Sequence, residues 1–411
     1  MSAVEDTSLA EPRPALAGSQ RHAQRASIGR GDPGVLRRWN EYAVLTALRE
    51  SSPQRASQLR QTTGLTVATL GTVLRDLQSK GWVAVGTSAQ GAKGRPAQTY
   101  SLRVPSGCVL GLDVGAHVVR AQCLDLDGKE LAQSEIRLTA GREDDERDVA
   151  ARQVVEQALR GAQCWSAVLA VGGFVEEDGT LVESAAIPSW NGTRPLERFE
   201  SLLGPGCLIV NDVCASVYAE RCRGAASGYD DVLLLQTGRR PTLGIMHGGR
   251  LRHGAHGMAG DLSADARVPT EHRPGGLGEL SEGADALGRA VREASTGDQV
   301  ALGRIRRLME GITPALVTAV AIDDPELVVV AGALTPVAHL FLDDIRAALA
   351  AGVRRPPKVV VSANDQFSSA QGAALLALNR VRSNLASHDG VQPFTREAFL
   401  AQEHRPGRAL V

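Results

Sequence analysis

The chain has 411 residues, 43% of them hydrophobic, and a formal net charge of −1, enough apolar material for two or three packed domains. No apolar run approaches the roughly 20 residues that cross a bilayer, and no apolar segment of a secretory signal opens the chain, so a cytoplasmic protein with no membrane partner is expected. The six cysteines are scattered without C-x-x-C spacing, which argues against a disulfide framework or a zinc ribbon and for reduced core thiols.

The charge is unevenly placed. From Leu36 to Arg103 ten Lys/Arg face Glu41, Glu50 and Asp76, a balance of +7 that leaves −8 for the rest of the chain. A basic N-terminal module on an acidic body points to nucleic acid at one end.

Residues 1–34 are rich in Ala, Pro, Gly, Ser and Arg without hydrophobic period, the signature of a disordered arm. From Val35 the spacing of Leu36, Trp39, Tyr42, Ala43, Leu45 and Leu48 predicts a helix ending at SSPQ. RASQLRQTTGL gives a second, with Ala56 and Leu59 as its apolar positions and a break at Gly64. TVATLGTVLRDLQSKG gives a third, capped by Thr66 and stopped by Gly81. Two helices across a tight turn form a helix-turn-helix; WVAVG and TYSLRV then read as strands flanking a Gly-rich turn, a β-hairpin wing. Residues 35–103 are thus expected to be a winged helix-turn-helix that reads double-stranded DNA, against the plainer alternative of a protein-interaction module.

In such modules the third helix enters the major groove. Ala68, Leu70, Val73, Leu74 and Leu77 are expected in the core, leaving Thr66, Val67, Thr69, Thr72 and Arg75 for DNA. Thr and Val offer hydroxyls and methyls rather than bidentate base readers, so Lys93 and Arg95 in the wing are expected to carry minor-groove or phosphate contacts, unless they are ordinary loop charges.

At Val104 the pattern changes. VLGLDVGAHVVRAQCLDLDGKEL reads as strand, Gly turn, strand and a DLDG hairpin turn leading into EIRL. A helix over 143–163 follows, then the strands WSAVLAVGG and CLIVND, and a helix opened by NDVCASVYAERCRG. DVLLLQTG, LGIMHGG and ELVVVAG are expected to complete the strands, with helices over 295–322 and 337–351. Strand pairs alternating with helices imply an α/β body of two lobes. Asp212 at a helix start suits general-base chemistry and equally suits a helix cap.

These motifs, in this order, resemble the ROK family (repressor, open reading frame, kinase) over about residues 36–380. The resemblance implies an actin-like, ribonuclease H-like two-lobed sugar-kinase fold; in the family's repressors of xylose and N-acetylglucosamine operons this follows a winged helix whose wing contains GRP, here KGRPAQTYSL. It implies that Asp113-Val114-Gly115 and Asp125 to Gly128 are the first phosphate motif, and that Asn211-Asp212, followed by Ala219-Glu220, is the pair carrying the catalytic base.

The departures are concentrated in the site. The second phosphate motif, G-T-G-x-G-x-G in the kinases, reads Gly238-Arg239-Arg240-Pro241-Thr242-Leu243-Gly244. Glycines let backbone N–H groups turn toward phosphate, and Pro241 has no N–H, so loss of the ATP cradle is expected. The adenosine-side G-G-G is Ala331-Gly332-Ala333. The sugar motif H-G-x-A-G-E-x-G-H runs from His256 to Ala264, with its Glu shortened to Asp261 and its last His replaced by Ala264. The zinc cysteines that should follow are missing, leaving His272 alone, and Ala186 stands at the sugar-binding Asn of P-N-L-P-G-W.

The expectation is a transcriptional regulator without cofactor or metal, a homodimer or larger homo-oligomer on a DNA operator, with a pseudokinase body over 104–380 (lobes 104–225 and 226–380) and a C-terminal extension over 381–411. Asn211, Asp212, His256 and Asp261 are its candidate sugar-effector residues. Arg239 and Arg240 are candidates for an anionic effector such as a sugar phosphate, through bidentate guanidinium contacts, or else exposed loop arginines. The competing expectations are an active ATP-dependent sugar kinase with a fused DNA-binding domain, and a dimerising scaffold with an empty cleft. VQPFTREAFLAQ in the extension is expected to form a short helix packed on the body or on the DNA module.

Overall fold

The computed structural model describes residues 33–87, 98–138, 144–204, 206–238, 240–263, 265–269, 286–387 and 390–403. The arm through residue 32 and the positions Lys93, Arg95, Arg239, Ala264 and His272 lie outside the described residues.

The N-terminal unit runs α1 (Pro33–Glu50), β1 (Gln54–Arg55), α2 (Ala56–Thr63), α3 (Val67–Ser79), β2 (Val83–Thr87) and β3 (Gln98–Leu102). Gly64 ends α2 at φ 71°, where a side chain would be strained. The Thr66 hydroxyl caps α3 by accepting from Thr69 N at 3.2 Å. Strands β1-β3-β2 form an antiparallel sheet behind the helices. Leu45 and Leu48 of α1, Leu59 of α2, and Leu70, Val73, Leu74 and Leu77 of α3 fill the space between them.

Two expectations need correction. Ala68 is exposed, because it falls one helical turn from Thr72 and two from Arg75 on the outer face of α3. Leu36 and Trp39 are 48% and 50% exposed, since the first buried residue of α1 is Glu41 and its apolar core contacts begin only at Val44. That carboxylate accepts from Lys80 Nζ at 2.6 Å while Arg37 pairs with Asp76 at 2.8 Å, which ties α1 to the end of α3.

The first lobe contains β4 (Cys108–Val114), β5 (Val118–Asp125), β6 (Glu130–Arg137), α4 (Asp144–Leu159), β7 (Cys164–Val171), a hairpin of β8 (Phe174–Val175) and β9 (Leu181–Glu183), α5 (Pro195–Leu203), β10 (Leu208–Asn211) and α6 (Asp212–Arg223). The second contains β11 (Val232–Thr237), β12 (Thr242–His247), β13 (Arg250–Leu251), α7 (Ala286–Ser295), α8 (Gln299–Asp323), β14 (Leu327–Gly332), α9 (Leu342–Gly352) and β15 (Lys358–Val361).

The main sheets are β10-β7-β4-β5-β6 and β15-β14-β11-β12-β13. In each, three antiparallel strands come first in the chain and two more add in parallel beside the first of them. The same order in both sheets is a duplicated lobe, the architecture of the actin-like, ribonuclease H-like sugar kinases. Strand β4 is buried along its whole length, as a central strand covered on both faces must be. The expected set of strands omitted β13 and β15 of the main sheets and the β8–β9 hairpin, and α5, α7 and a helix over Ser368–Leu385 had no sequence prediction.

Helix α10 (Ser368–Leu385) follows β15 yet packs on β4 and β7 of the first lobe and along α6. The expected boundary at residue 380 therefore falls inside a helix that belongs to the first lobe. Two glycines allow its approach: a Cβ on Gly372 would lie 1.7 Å from Ala215 O, and one on Gly111 would lie 2.0 Å from Ala370 O. Beyond α10 come β16 (Ala386–Ser387), β17 (Gly390–Val391) and α11 (Arg396–Glu403). All six cysteines are free thiols, with Cys108, Cys123 and Cys214 buried. No helix among the described residues is long and apolar enough to cross a membrane.

The glycine packing gives a contrast that unfolding can check. Gly372→Ala forces backbone apart and should destabilise the protein by about 2–4 kcal/mol. Gly303→Ala in α8, whose Cβ would meet nothing within 4 Å, should stabilise by roughly 0.5–1 kcal/mol through helix propensity. Urea titration of the two variants should give midpoints that move in opposite directions.

Candidate functional site

The C-terminal ends of β4, β7 and β10 converge on the cleft between the lobes. The cap of α6 is Asn211: its Oδ1 accepts from Val213 N at 2.8 Å and Cys214 N at 3.2 Å, and its Nδ2 donates to Gly173 O. Asp212 is the first helical residue, its Oδ1 sharing the Val213 N–H at 2.9 Å. Oδ2 lies over Gly172, where an added Cβ would be 3.3 Å from both that oxygen and Ala186 Cβ. Ala186, the position of the family's sugar Asn, is therefore brought beside Asp212, with its polar group gone.

Asp113, 8% exposed, faces the same space. Burial and then the charge of Asp212 push its carboxyl up to about 7, against the pull of Arg120, 3.9 Å away, and the Ser369 hydroxyl. Burial likewise raises Asp212 to about 6, opposed by backbone N–H groups. Arg120 is held by Glu135 at 2.7 Å and lies 5.8 Å from the Phe367 ring centroid. Two carboxyls in one poorly hydrated space hold protons at pH values where a free Asp has lost its own.

Thr237 and Leu243, on either side of the turn that carries Pro241, are bonded to neighbouring segments. Thr237 Oγ1 donates to Ala331 O at 2.6 Å and accepts from Leu334 N at 3.1 Å, and Thr237 O accepts from Ala333 N at 2.7 Å. The phosphate-side and adenosine-side turns are thereby bonded to each other. Leu243 N donates to Gly260 O at 2.8 Å, and Pro241 has no N–H to offer.

Arg240 crosses the cleft. Its Nη2 donates to Glu183 at 2.7 Å and its guanidinium lies 5.6 Å from the Phe174 ring centroid, so it spans from the second lobe to both strands of the β8–β9 hairpin. An anion at Arg240 would have to displace Glu183. On the same hairpin the sugar loop sits down tightly: a Cβ on Gly257 would lie 2.0 Å from Val175 O. His256 beside it is exposed, and Asp261 closes its own turn by accepting from Ser263 N at 2.8 Å while bridging to Thr242. Asn211 and Asp212 are thus together at the base of the cleft, whereas His256, Asp261 and Arg240 belong to its rim.

Two residues at this junction went unassigned in the sequence: Glu183 and Phe174 have no motif, and only their closeness in sequence to Ala186 hinted at the site. Glu220, named in the sequence with the Asn211-Asp212 pair, is fully buried and accepts from Ala225 N at 2.6 Å, Asn364 N at 3.2 Å and the Ser362 hydroxyl, fastening α6 to the turn before α10. Among the described residues no cluster of His, Cys, Asp and Glu could hold a metal ion.

On the N-terminal unit, α3 presents Val67 at 67% exposure, with Thr66, Thr72 and Arg75 also exposed and Thr69 half-buried. The Thr66 and Thr69 hydroxyls are 2.9 Å apart, and Arg75 Nη2 donates to Thr72 Oγ1 at 3.2 Å. Thr69, Thr72 and Arg75 thus run along one side of α3 at spacings of three, while Thr66 caps its start and Val67 lies on the other side of the buried stripe.

The ROK family profile matches residues 109–263 and 280–380. A glucokinase of Streptomyces coelicolor is 24% identical over 300 residues, covering 62% of this chain and 93% of its own length. A xylose repressor of Bacillus subtilis is 19% identical over 235 residues, covering 56% of this chain and 61% of the repressor. Among solved structures, a ROK family transcriptional regulator described as a homologue of the E. coli MLC protein superposes with TM-score 0.64 at 17% identity, covering 90% of this chain and 99% of that one. A ROK glucokinase of Streptomyces griseus, solved with glucose and AMPPNP, superposes with TM-score 0.55 at 23% identity over 66% of this chain. The fold similarity to the regulator thus includes much of the N-terminal unit.

Two measurements follow from the cleft. Because Asp113 and Asp212 are raised, the folded state binds more protons than the unfolded chain between about pH 4 and 7, and their contribution lowers stability as pH rises through that window. Asp212→Asn should therefore be more stable than the parent at pH 8 by on the order of 1–3 kcal/mol, with the difference vanishing near pH 4; urea unfolding at both pH values checks it. A double-mutant cycle of Arg240→Ala and Glu183→Ala should give a coupling of roughly 0.3–1 kcal/mol, the scale of a partly exposed pair. Hydrogen exchange in the β8–β9 hairpin should rise in both single variants.

Proposed function

The chain belongs to the ROK family, and from that premise we propose that it is a cytoplasmic DNA-binding transcriptional regulator, acting as a repressor, with a sugar-kinase-like body that no longer phosphorylates sugars. Residues 35–103 are the DNA-binding domain and residues 104–380 the body, which serves for dimerisation and for sensing a sugar or sugar phosphate. The observation that carries this reading is the loop at Pro241: its turn is bonded to the adenosine-side turn and its arginine is engaged with Glu183, while a helix-turn-helix with an open recognition face precedes the body. The division of its relatives into xylose repressors and glucokinases matches the two functions weighed.

In this reading α3 enters the major groove, with Thr66, Val67, Thr69, Thr72 and Arg75 toward DNA and Lys93 and Arg95 of the wing on the backbone or minor groove. A dimer pairs two such modules on two half-sites. An effector in the cleft, near Asn211, Asp212, His256, Asp261 and the arginines Arg239 and Arg240, regulates by favouring one arrangement of the lobes.

The second reading, an ATP-dependent sugar kinase, has one observation in its favour: Asp113 and Asp212 are both retained and adjacent. An ADP-release assay over a panel of hexoses and amino sugars decides between them. Background release, unchanged in Asp212→Asn, is expected; turnover that this variant abolishes would establish the kinase. Selection of bound fragments from random duplex DNA should yield a two-half-site sequence. Against it, Arg75→Ala should weaken binding and reduce the salt slope by about one if it meets a phosphate, or lose discrimination at one base pair if it meets a base.

A further inference from the structure

The chain returns to its N-terminal unit after α10. Trp82, where α3 gives way to the wing, is buried and stacks on Phe394 with ring centroids 4.0 Å apart and planes 11° apart. Phe394 also meets Trp165 of the body edge-on, at 5.9 Å and 80°. Backbone groups reinforce the stack on both sides. Trp82 Nε1 donates to Gln392 O at 2.6 Å, Phe394 N donates to Lys80 O at 2.9 Å, and Arg396 Nε donates to Cys164 O at 3.3 Å. The linker between unit and body runs beneath: a Cβ on Gly107 would lie 2.2 Å from Trp165 Nε1.

The joint also contains an opposing force. Arg49 at the end of α1 lies 5.7 Å from the Trp82 ring centroid, and its Nη2 is buried without a hydrogen-bond partner. Burial and the neighbouring Arg382, near the end of α10, push its guanidinium down to about 10. A guanidinium with one buried, unpartnered nitrogen thus sits where the unit meets the body, and the aromatic stack holds it there. A junction that holds such a group is open to small perturbations.

One element joins this junction to the cleft. Helix α10 spans about 27 Å at the usual rise per residue. Its first turn lies against β4 two residues before Asp113, where a Cβ on Gly111 would be 2.0 Å from Ala370 O, and its last residue, Leu385, accepts from Gln392 N at 2.6 Å. We propose that residues 390–403 form a clasp that docks on the Trp82 surface of the N-terminal unit, and that α10 carries the state of the cleft to it. The clasp fixes the DNA module on the body when seated and frees it when displaced. The proposal rests on the reading above for the module's task alone; the contacts are independent of it.

The test uses the full chain, digested with trypsin and followed by mass spectrometry for cleavage after Arg103, beside thermal unfolding. Phe394→Ala should accelerate that cleavage about tenfold, the factor expected for losing a stacked aromatic pair, while the body keeps a separate melting transition. Trp82→Phe, which keeps a ring but removes the indole N–H, should give a smaller acceleration and serves if Phe394→Ala does not fold. Asp113→Asn, at the far end of α10, should change the rate in the parent but not in the Phe394→Ala background. Parental cleavage in both clasp variants would overturn the clasp, as would a single lowered melting transition for the whole chain, which would make the segment ordinary core. An Asp113→Asn effect that is nil, or equal in both backgrounds, would overturn the coupling. No readout involves DNA, so a failed DNA-binding reading and a failed clasp are distinguishable.

Discussion

The carbonyl oxygen of Ala215 occupies the space where a side chain on Gly372 would begin, and that of Ala370 does the same at Gly111. These contacts bring the backbone of α10 against α6 on one side and β4 on the other, closer than any Cβ allows. Because α10 arrives from the second lobe and seats in the first, the position of one lobe relative to the other is referred to this helix. Glu220 secures the same crossing by binding the turn that precedes it. The cleft and the joint with the N-terminal unit therefore lie at the two ends of a single helix.

Against that axis the cleft holds two acids, Asp113 and Asp212, although burial raises both. The strand ends and turns on the second lobe's side are bonded to one another, Thr237 with Ala331 to Leu334 and Leu243 with Gly260. Arg240 and the Gly257 loop then bind the β8–β9 hairpin from across the cleft. In the regulator reading proposed above, a site that keeps two acids and ties its lobes by a few polar contacts serves to register a ligand.

Much of the fold was legible because local chemistry and tertiary structure agree. Thr66 caps and Gly64 and Gly81 stop helices as their residue types require, and the alternating and continuous apolar runs mark β4, β5, β7, β11 and β14. Ala68 was misassigned because a small apolar residue carries little information about its face, and β15 was missed because KVVV is short and follows a proline pair. At the site, the losses at Pro241 and Ala186 were visible as departures from a motif. The pairing of Arg240 with Glu183 and the docking of Phe394 on Trp82 were not, since both join segments far apart in sequence and belong to no local pattern. Asn211 as the cap of α6, with Asp212 left facing the cleft, needed the backbone path through Gly173.

The C-terminal joint differs from the rest of the core in what it balances. Between the N-terminal unit and the body, an aromatic sandwich and three hydrogen bonds surround Arg49, whose buried Nη2 has no hydrogen-bond partner and whose guanidinium is pushed down by burial. Holding a poorly solvated cation there costs free energy in the docked arrangement. Under the clasp proposal that cost brings the docked and released states closer together, so a difference in ligand affinity between lobe arrangements would suffice to choose between them.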